Sequence, residues 1–314
     1  MSESSSRTHF LAPRFWGVHI GFFLLRVFSL LPWRSQLRIG RRLGRIGYRL
    51  AKTRRRIANR NLRLCFPEMT DQERTELTRL HFENLGMAVA EMGMAYYRPQ
   101  RLVGRFHWHG DEHLDAHIPG SVILLTAHFG ALEVGGTALR ARGMAFDAVY
   151  REDNNPLMNQ LIRRGRERAG RKTIEKANIK AMVRSLREDV PVWYAPDQSY
   201  RRKHSELLPF FNVPTMTNTA TGALARLGKA KVIGFFPHRR PDFGGYDIYV
   251  HPPLDGFPGD DAVTDTLRIT YMFEQEIKRS PAQYYWVHRK FKNRPAELPD
   301  LYADLADEDE PAAS

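Results

Sequence analysis

From Arg105 onward the chain alternates short apolar runs with segments of helical period, and no other feature narrows the available folds as far. Candidate strands at 105–109, 121–127, 145–150, 190–195, 231–236 and 246–250 are interleaved with candidate helices at 131–142, 155–169, 177–188, 215–228 and 261–279. Strands and helices taken in turn build an α/β sheet covered by helices. At 314 residues the chain is long enough to bury a full core of that kind. No internal repeat interrupts the alternation.

The first hundred residues have a different texture. Residues 34–65 read as helix, with Leu37, Leu43, Ile46, Leu50 and Ile57 forming an apolar stripe among arginines. Phe66-Pro67 ends that helix, Thr70 or Asp71 offers an N-cap for the next, and the pattern then runs to Tyr97 before Arg98-Pro99 closes it. The net charge is +13, and residues 34–63 alone contain twelve Lys/Arg and no Asp or Glu. Such a concentrated basic segment suits nucleic acid or an anionic membrane surface. Immediately before it lies the apolar stretch from Phe15 to Pro32, interrupted by His19 and Arg26 and without a signal-peptide cleavage site. That neighbour favours a membrane anchor, spanning or shallowly inserted, with the body of the protein on the cytoplasmic face. No nucleic-acid motif follows. The single cysteine, Cys65, excludes an internal disulfide and suits a reducing compartment. The expected organisation is an anchor at 1–33, a basic helical region at 34–100, an α/β domain at 101–300 and an acidic, disordered tail at 301–314.

Chemistry concentrates where strands end. Val122 to Ala127 is a continuous apolar run that stops at His128, with Glu133 one helical turn further on. An imidazole at the carboxyl end of a strand stands where open α/β sheets bind ligands. Glu133 is placed to accept from one ring nitrogen and leave the other as a base; the bland alternative is a strand-end histidine capping the next helix. Arg151 leaves the strand 145–150 and suits bidentate recognition of phosphate or carboxylate, or else pairs with Glu152 or Asp153. Asp197 leaves the strand 190–195 and serves either to pair with Arg151 or orient substrate, or to cap a turn. Arg163, Arg164, Arg166 and Arg168 form a basic helix face. A rival chemistry is a zinc or di-metal hydrolase built on His107, His109, Asp111, Glu112, His113 and His117, although their spacing matches no recognised metal motif.

From His128 the chain reads HFGALEVGG, then YREDNNPLMNQLIRRGR at 150–166, VWYAPDQSY at 192–200, FFPHRR at 235–240 and AQYYWVHRKFKNRP at 282–295. In this order and spacing the set resembles the late acyltransferases of bacterial lipid A biosynthesis, within the wider superfamily of glycerolipid acyltransferases that carry a His-x4-Asp/Glu motif. The resemblance runs from about Phe10 to Pro295. It implies a central mixed sheet flanked by helices, with an N-terminal helical membrane anchor. It also implies transfer of an acyl chain from acyl carrier protein to the hydroxyl of a 3-hydroxyacyl chain on a Kdo-modified lipid IVA-type acceptor, at the cytoplasmic face of the bacterial inner membrane. His128 and Glu133 fall on the motif, with Glu where some relatives have Asp, and Arg151 on the active-site arginine. Asp197, Arg164 and Arg289 become candidates for substrate binding, the arginines toward acyl carrier protein, sugar or phosphate. No metal or other cofactor is expected. Cys65 lies in the anchor region and no serine stands in a nucleophile elbow, so direct transfer without an acyl-enzyme is expected. A glycerophospholipid acyltransferase of the lysophosphatidate type is the alternative that keeps the fold.

Overall fold

The computed structural model describes residues 10–200 and 203–305; the expected acidic tail lies largely outside them. Ten helices and nine strands are found among the described residues, not counting short 3-10 turns. The helices are α1 (Trp16–Phe28), α2 (Trp33–Leu50), α3 (Lys52–Cys65), α4 (Asp71–Tyr97), α5 (Glu112–Asp115), α6 (Leu132–Ala141), α7 (Pro156–Arg166), α8 (Ile179–Arg187), α9 (Ala220–Gly228) and α10 (Ala262–Arg279). The strands are β1 (Phe106–His109), β2 (Val122–Leu125), β3 (Asp147–Tyr150), β4 (Lys172–Glu175), β5 (Val192–Tyr194), β6 (Ser205–Phe210), β7 (Val213–Asn218), β8 (Lys231–Arg239) and β9 (Tyr246–Val250).

Seven strands form one sheet in the order β1-β9-β8-β2-β5-β3-β4. All neighbours are parallel except β8 and β9, so the sheet is mixed, with β1 and β9 opposed to the rest. β2 is buried at every position because helices cover both faces, which is why it reads as an unbroken apolar run. Its side chains alternate between two cores: Ile123 and Leu125 enter one with Phe129, Phe210 and Trp286, while Val122 and Leu124 enter the other with Val134, Phe146 and Trp193.

α4 ties the N-terminal helices to this sheet. Of the two N-caps expected at its start, Thr70 is the one used, and it forms a capping box, with Thr70 accepting from Glu73 N and the Glu73 carboxylate accepting from Thr70 N. α2 crosses α4 backbone to backbone: a Cβ on Gly44 would lie 2.2 Å from Phe82 O, and one on Gly86 would lie 2.1 Å from Gly40 O. Further along α4 the buried Glu91 carboxylate takes the Arg239 guanidinium of β8 (2.5 and 2.6 Å) and the Tyr246 hydroxyl of β9 (2.8 Å). A buried charge needs such complete pairing.

Two expectations need correction, one strand was not anticipated, and one open alternative is narrowed. Residues 34–65 form two helices, broken at Ala51, whose ψ of 67° is non-helical. The helix expected at 215–228 begins only at Ala220, because 205–218 make the β6–β7 hairpin. Its two-residue loop, Phe211-Asn212, has φ of 47° and 62°; Asn favours that region but Phe does not, so the usual turn signature is missing. β4 also went unread, being short, charged and at the sheet edge. Finally, no helix among the described residues is long and apolar enough to cross a membrane. α1 has 13 residues, roughly 20 Å against a hydrocarbon core of roughly 30 Å. It buries Phe22 and Leu25, the latter against Gly93 of α4, and exposes Trp16, Ile20, Phe23, Leu24 and Val27.

Candidate active site

β2 and β5 are adjacent and parallel, and Leu125 faces Tyr194 in their ladder. One further bond, Thr126 N to Tyr194 O at 3.0 Å, carries the pairing past both strand ends. His128 and Asp197 then stand at equal offsets beyond those facing residues, so two loops of matched length bring them together. Asp197 Oδ1 lies 2.5 Å from His128 Nδ1, and Oδ2 accepts from His128 N at 3.2 Å. The Asp197 side chain is 1% exposed, that of His128 32%. Burial alone would raise the Asp197 carboxyl, but the His128 ring, the nearby Lys290 ammonium and these hydrogen bonds outweigh it and hold it at about 2. An ionised carboxylate only accepts, so Nδ1 of the neutral ring carries the proton and Nε2 presents its lone pair.

The orienting contact expected from Glu133 is therefore made by Asp197. Glu133 lies in the first turn of α6 and meets α7, where Arg166 Nη2 and Nε donate to its Oε1 at 2.7 and 3.0 Å. The guanidinium, beside Glu133, is held above its usual range against the opposing effect of burial. Arg166 belonged to the basic face read from the sequence but was not singled out. The available signal was periodic, since Arg166 shares a helix face with Asn159 and Ile162, and all three line the cavity described next.

His128, Glu133 and Arg166 open into a cavity of about 970 Å³. It runs from the strand exits, where Arg151 is exposed, along the sheet face past Ala148 and Ile162 to Phe146, Gly136 and Ala169. Phe146 lies four residues before Tyr150, which puts the apolar end roughly 13 Å below the mouth at ~3.3 Å per residue. At the mouth, Lys176, Lys203 and Lys292 join Arg151 against one carboxylate, Asp153, so a rim of net positive charge leads into an apolar interior.

Two arginines stand elsewhere. Arg164 is exposed on α7, one position off the cavity-facing side, and does not line the cavity. Arg289 turns away, donating from Nη2 to Leu305 O at 3.0 Å and lying over the Tyr302 ring at 5.7 Å; a role for it at the cavity is not supported. The histidine-rich segment does not assemble a metal site either. Among the described residues no group of three or more His, Cys, Asp or Glu side chains is arranged to hold a metal ion. His109 instead meets Asp247 at 2.9 Å, His117 lies 3.3 Å from Lys231 Nζ, and Asp111 and Asp115 share Arg142.

The site is thus a His–Asp pair at two strand exits, opening into a cavity with a charged mouth and an apolar far end. The chain belongs to the bacterial lipid A biosynthesis acyltransferases, whose family model matches residues 3–293. It is 38% identical to the lipid A biosynthesis lauroyltransferase of Escherichia coli over 94% of this chain and 97% of that protein. Identity is 36% to the palmitoleoyltransferase of the same organism, over 93% and 96%, and 30% to its myristoyltransferase, over 93% and 94%. The protein is thus an acyltransferase of lipid A biosynthesis.

Proposed function

We propose that this enzyme moves a fatty acyl chain from acyl carrier protein to the hydroxyl of a 3-hydroxyacyl chain on a Kdo-modified lipid IVA-type acceptor, at the cytoplasmic face of the inner membrane. The observation that carries the reading is His128, held at Nδ1 by a buried carboxylate with Nε2 toward a cavity that is cationic at its rim and apolar within. The acceptor oxygen attacks the thioester carbonyl carbon while its proton passes to His128 Nε2. The tetrahedral intermediate then collapses, the C–S bond breaks, and the imidazolium returns the proton to the departing thiolate. Asp197 stays ionised throughout and stabilises the imidazolium. Arg166, fixed by Glu133, supplies positive charge toward the developing oxyanion. Arg151 and the rim lysines suit the acceptor's phosphates and carboxylates. The apolar interior suits the acyl chain, and its volume is of the size that ligand pockets occupy. The exposed apolar face of α1 and the arginines of α2 fit a helix lying in the headgroup region.

The test is transfer by detergent-solubilised wild type and His128→Ala, given mixed acyl carrier protein thioesters and Kdo-modified lipid IVA, with products read by mass. One added acyl mass with wild type, reduced by roughly 10²- to 10⁴-fold in the variant, is the expected result. Transfer only to lysophosphatidate would reassign the acceptor, and an acyl-enzyme trapped during turnover would replace direct transfer.

A further inference from the structure

The carboxyl-terminal segment after α10 crosses both loops of the dyad. Gln283 O accepts from Gly130 N at 2.9 Å, Tyr284 bridges to Phe129, and Tyr285 N donates to His128 O at 3.0 Å. Further along, Asn293 Nδ2 donates to Ser199 Oγ at 3.1 Å. Between these clasps lies Lys290, 5% exposed, a burial that lysine rarely accepts. Its ammonium donates to the main-chain carbonyl of Asp197 and lies 4.4 Å from the centroid of the Phe210 ring. Its own carbonyl accepts from Thr215 Oγ1 of β7 at 2.9 Å, which fixes its backbone from the other side.

We propose that Lys290 is a positioning residue for the His128–Asp197 pair: its buried ammonium pins the loop that presents Asp197 and acts through that aspartate, without touching substrate. This deepens the reading above and rests on it. An ammonium out of water needs compensation on every side. Here that compensation is the Asp197 carbonyl, the Asp197 charge and the Phe210 face, with Glu274 behind. Burial nevertheless draws Lys290 down to about 8, leaving it charged at neutral pH. A loop held this way keeps Oδ1 on Nδ1, and an error of about 1 Å there is enough to cost roughly 10²-fold in rate.

The charged and titratable groups that face the pair come from every side: Asp197 itself from the β5 loop, Glu133 and Arg166 from α6 and α7, and Tyr284, His288, Lys290 and Lys292 from the carboxyl-terminal segment. Of these only Lys290 would be changed. Lys290→Met keeps the bulk and removes both charge and donor, whereas Lys290→Gln keeps a donor for the Asp197 carbonyl without charge. The Met variant is expected to lose roughly tenfold to a hundredfold in kcat with KM changed less than about threefold. The acid limb of its rate profile should move to higher pH, because a cation that opposes protonation of the pair is gone. The Gln variant should recover most of kcat while keeping the displaced limb. Wild-type kcat and profile in both variants would overturn the proposal. So would a kcat loss that tracks a fall in Tm with the limb unmoved, since that describes structure alone. If the Met variant does not fold, the limb of the Gln variant decides. An inactive wild type refutes the assigned reaction instead, which keeps the two failures apart.

Discussion

Replacing Asp197 by Asn separates charge and tautomer from shape. The carboxylate is 1% exposed and makes two contacts with His128, at Nδ1 and at the main-chain N–H. An amide of the same size either sets its NH2 against the His128 main-chain N–H or turns it toward Nδ1, and the second option stabilises the tautomer protonated at Nε2. That ring cannot accept the acceptor's proton. Loss of this orienting carboxylate in a His–Asp pair lowers kcat by about 10⁴, equivalent to about 5 kcal/mol of transition-state stabilisation at 1.36 kcal/mol per decade. KM should stay within about threefold, because Asp197 lies behind His128 and outside the cavity lining. Steady-state transfer with saturating acyl donor and acceptor measures kcat directly, with a melting curve to show that the variant folds. A loss of less than tenfold in a folded variant, or one carried by KM, would refute the reasoning. It would also return the orientation of His128 to another group, Glu133 first.

Because Arg166 Nε and Nη2 both donate to the Glu133 carboxylate, the two residues should act as a unit. Glu133→Ala combined with Arg166→Ala should lower kcat no further than the worse single variant, and additive losses in a double-mutant cycle would contradict this. His81 is buried in α4, where burial lowers it to about 4 despite its hydrogen bond to Ala282 O at 3.2 Å. The unfolded chain takes up this proton near 6.5 and the folded chain only near 4. Stability is therefore full above pH 6.5 and falls as pH drops through that window, by about 3 kcal/mol in all. Tm followed from pH 7 to pH 4 should show a slope that His81→Gln flattens. Gly44→Ala places its Cβ 2.2 Å from Phe82 O, so α2 must move off α4; a loss of about 2 kcal/mol is expected in denaturant unfolding.

Much of the sheet was legible because β2, β3, β5 and β8 are largely apolar runs bounded by breaks, the signature of buried parallel strands, while β9 shows the alternation of a strand with one buried face. The same logic delivered His128, Arg151 and Asp197 to strand ends. Partnership was not legible. His128 and Asp197 are 69 residues apart, and only the order β2-β5-β3 shows that their strands are neighbours. Local spacing instead nominated Glu133, five residues away in the chain but turned toward α7. Arg289 was drawn in by its surroundings in the motif, whereas its side chain faces the terminal turn at Leu305. The hairpin loop escaped notice because Phe211 occupies a conformation its side chain disfavours.

α4 also sets a limit on how this enzyme can be dismantled. Its last turn carries Ala95 and Tyr96 into the lining of the cavity, with Gly165 of α7 pressed against the Tyr96 ring. The basic helical region thus supplies one side of the chamber in which the acyl chain would lie. A fragment trimmed at residue 100 to leave only the α/β portion would keep His128, Asp197, Glu133 and Arg166. It would still open that chamber to solvent on that side, and Arg239 would lose the buried carboxylate of Glu91.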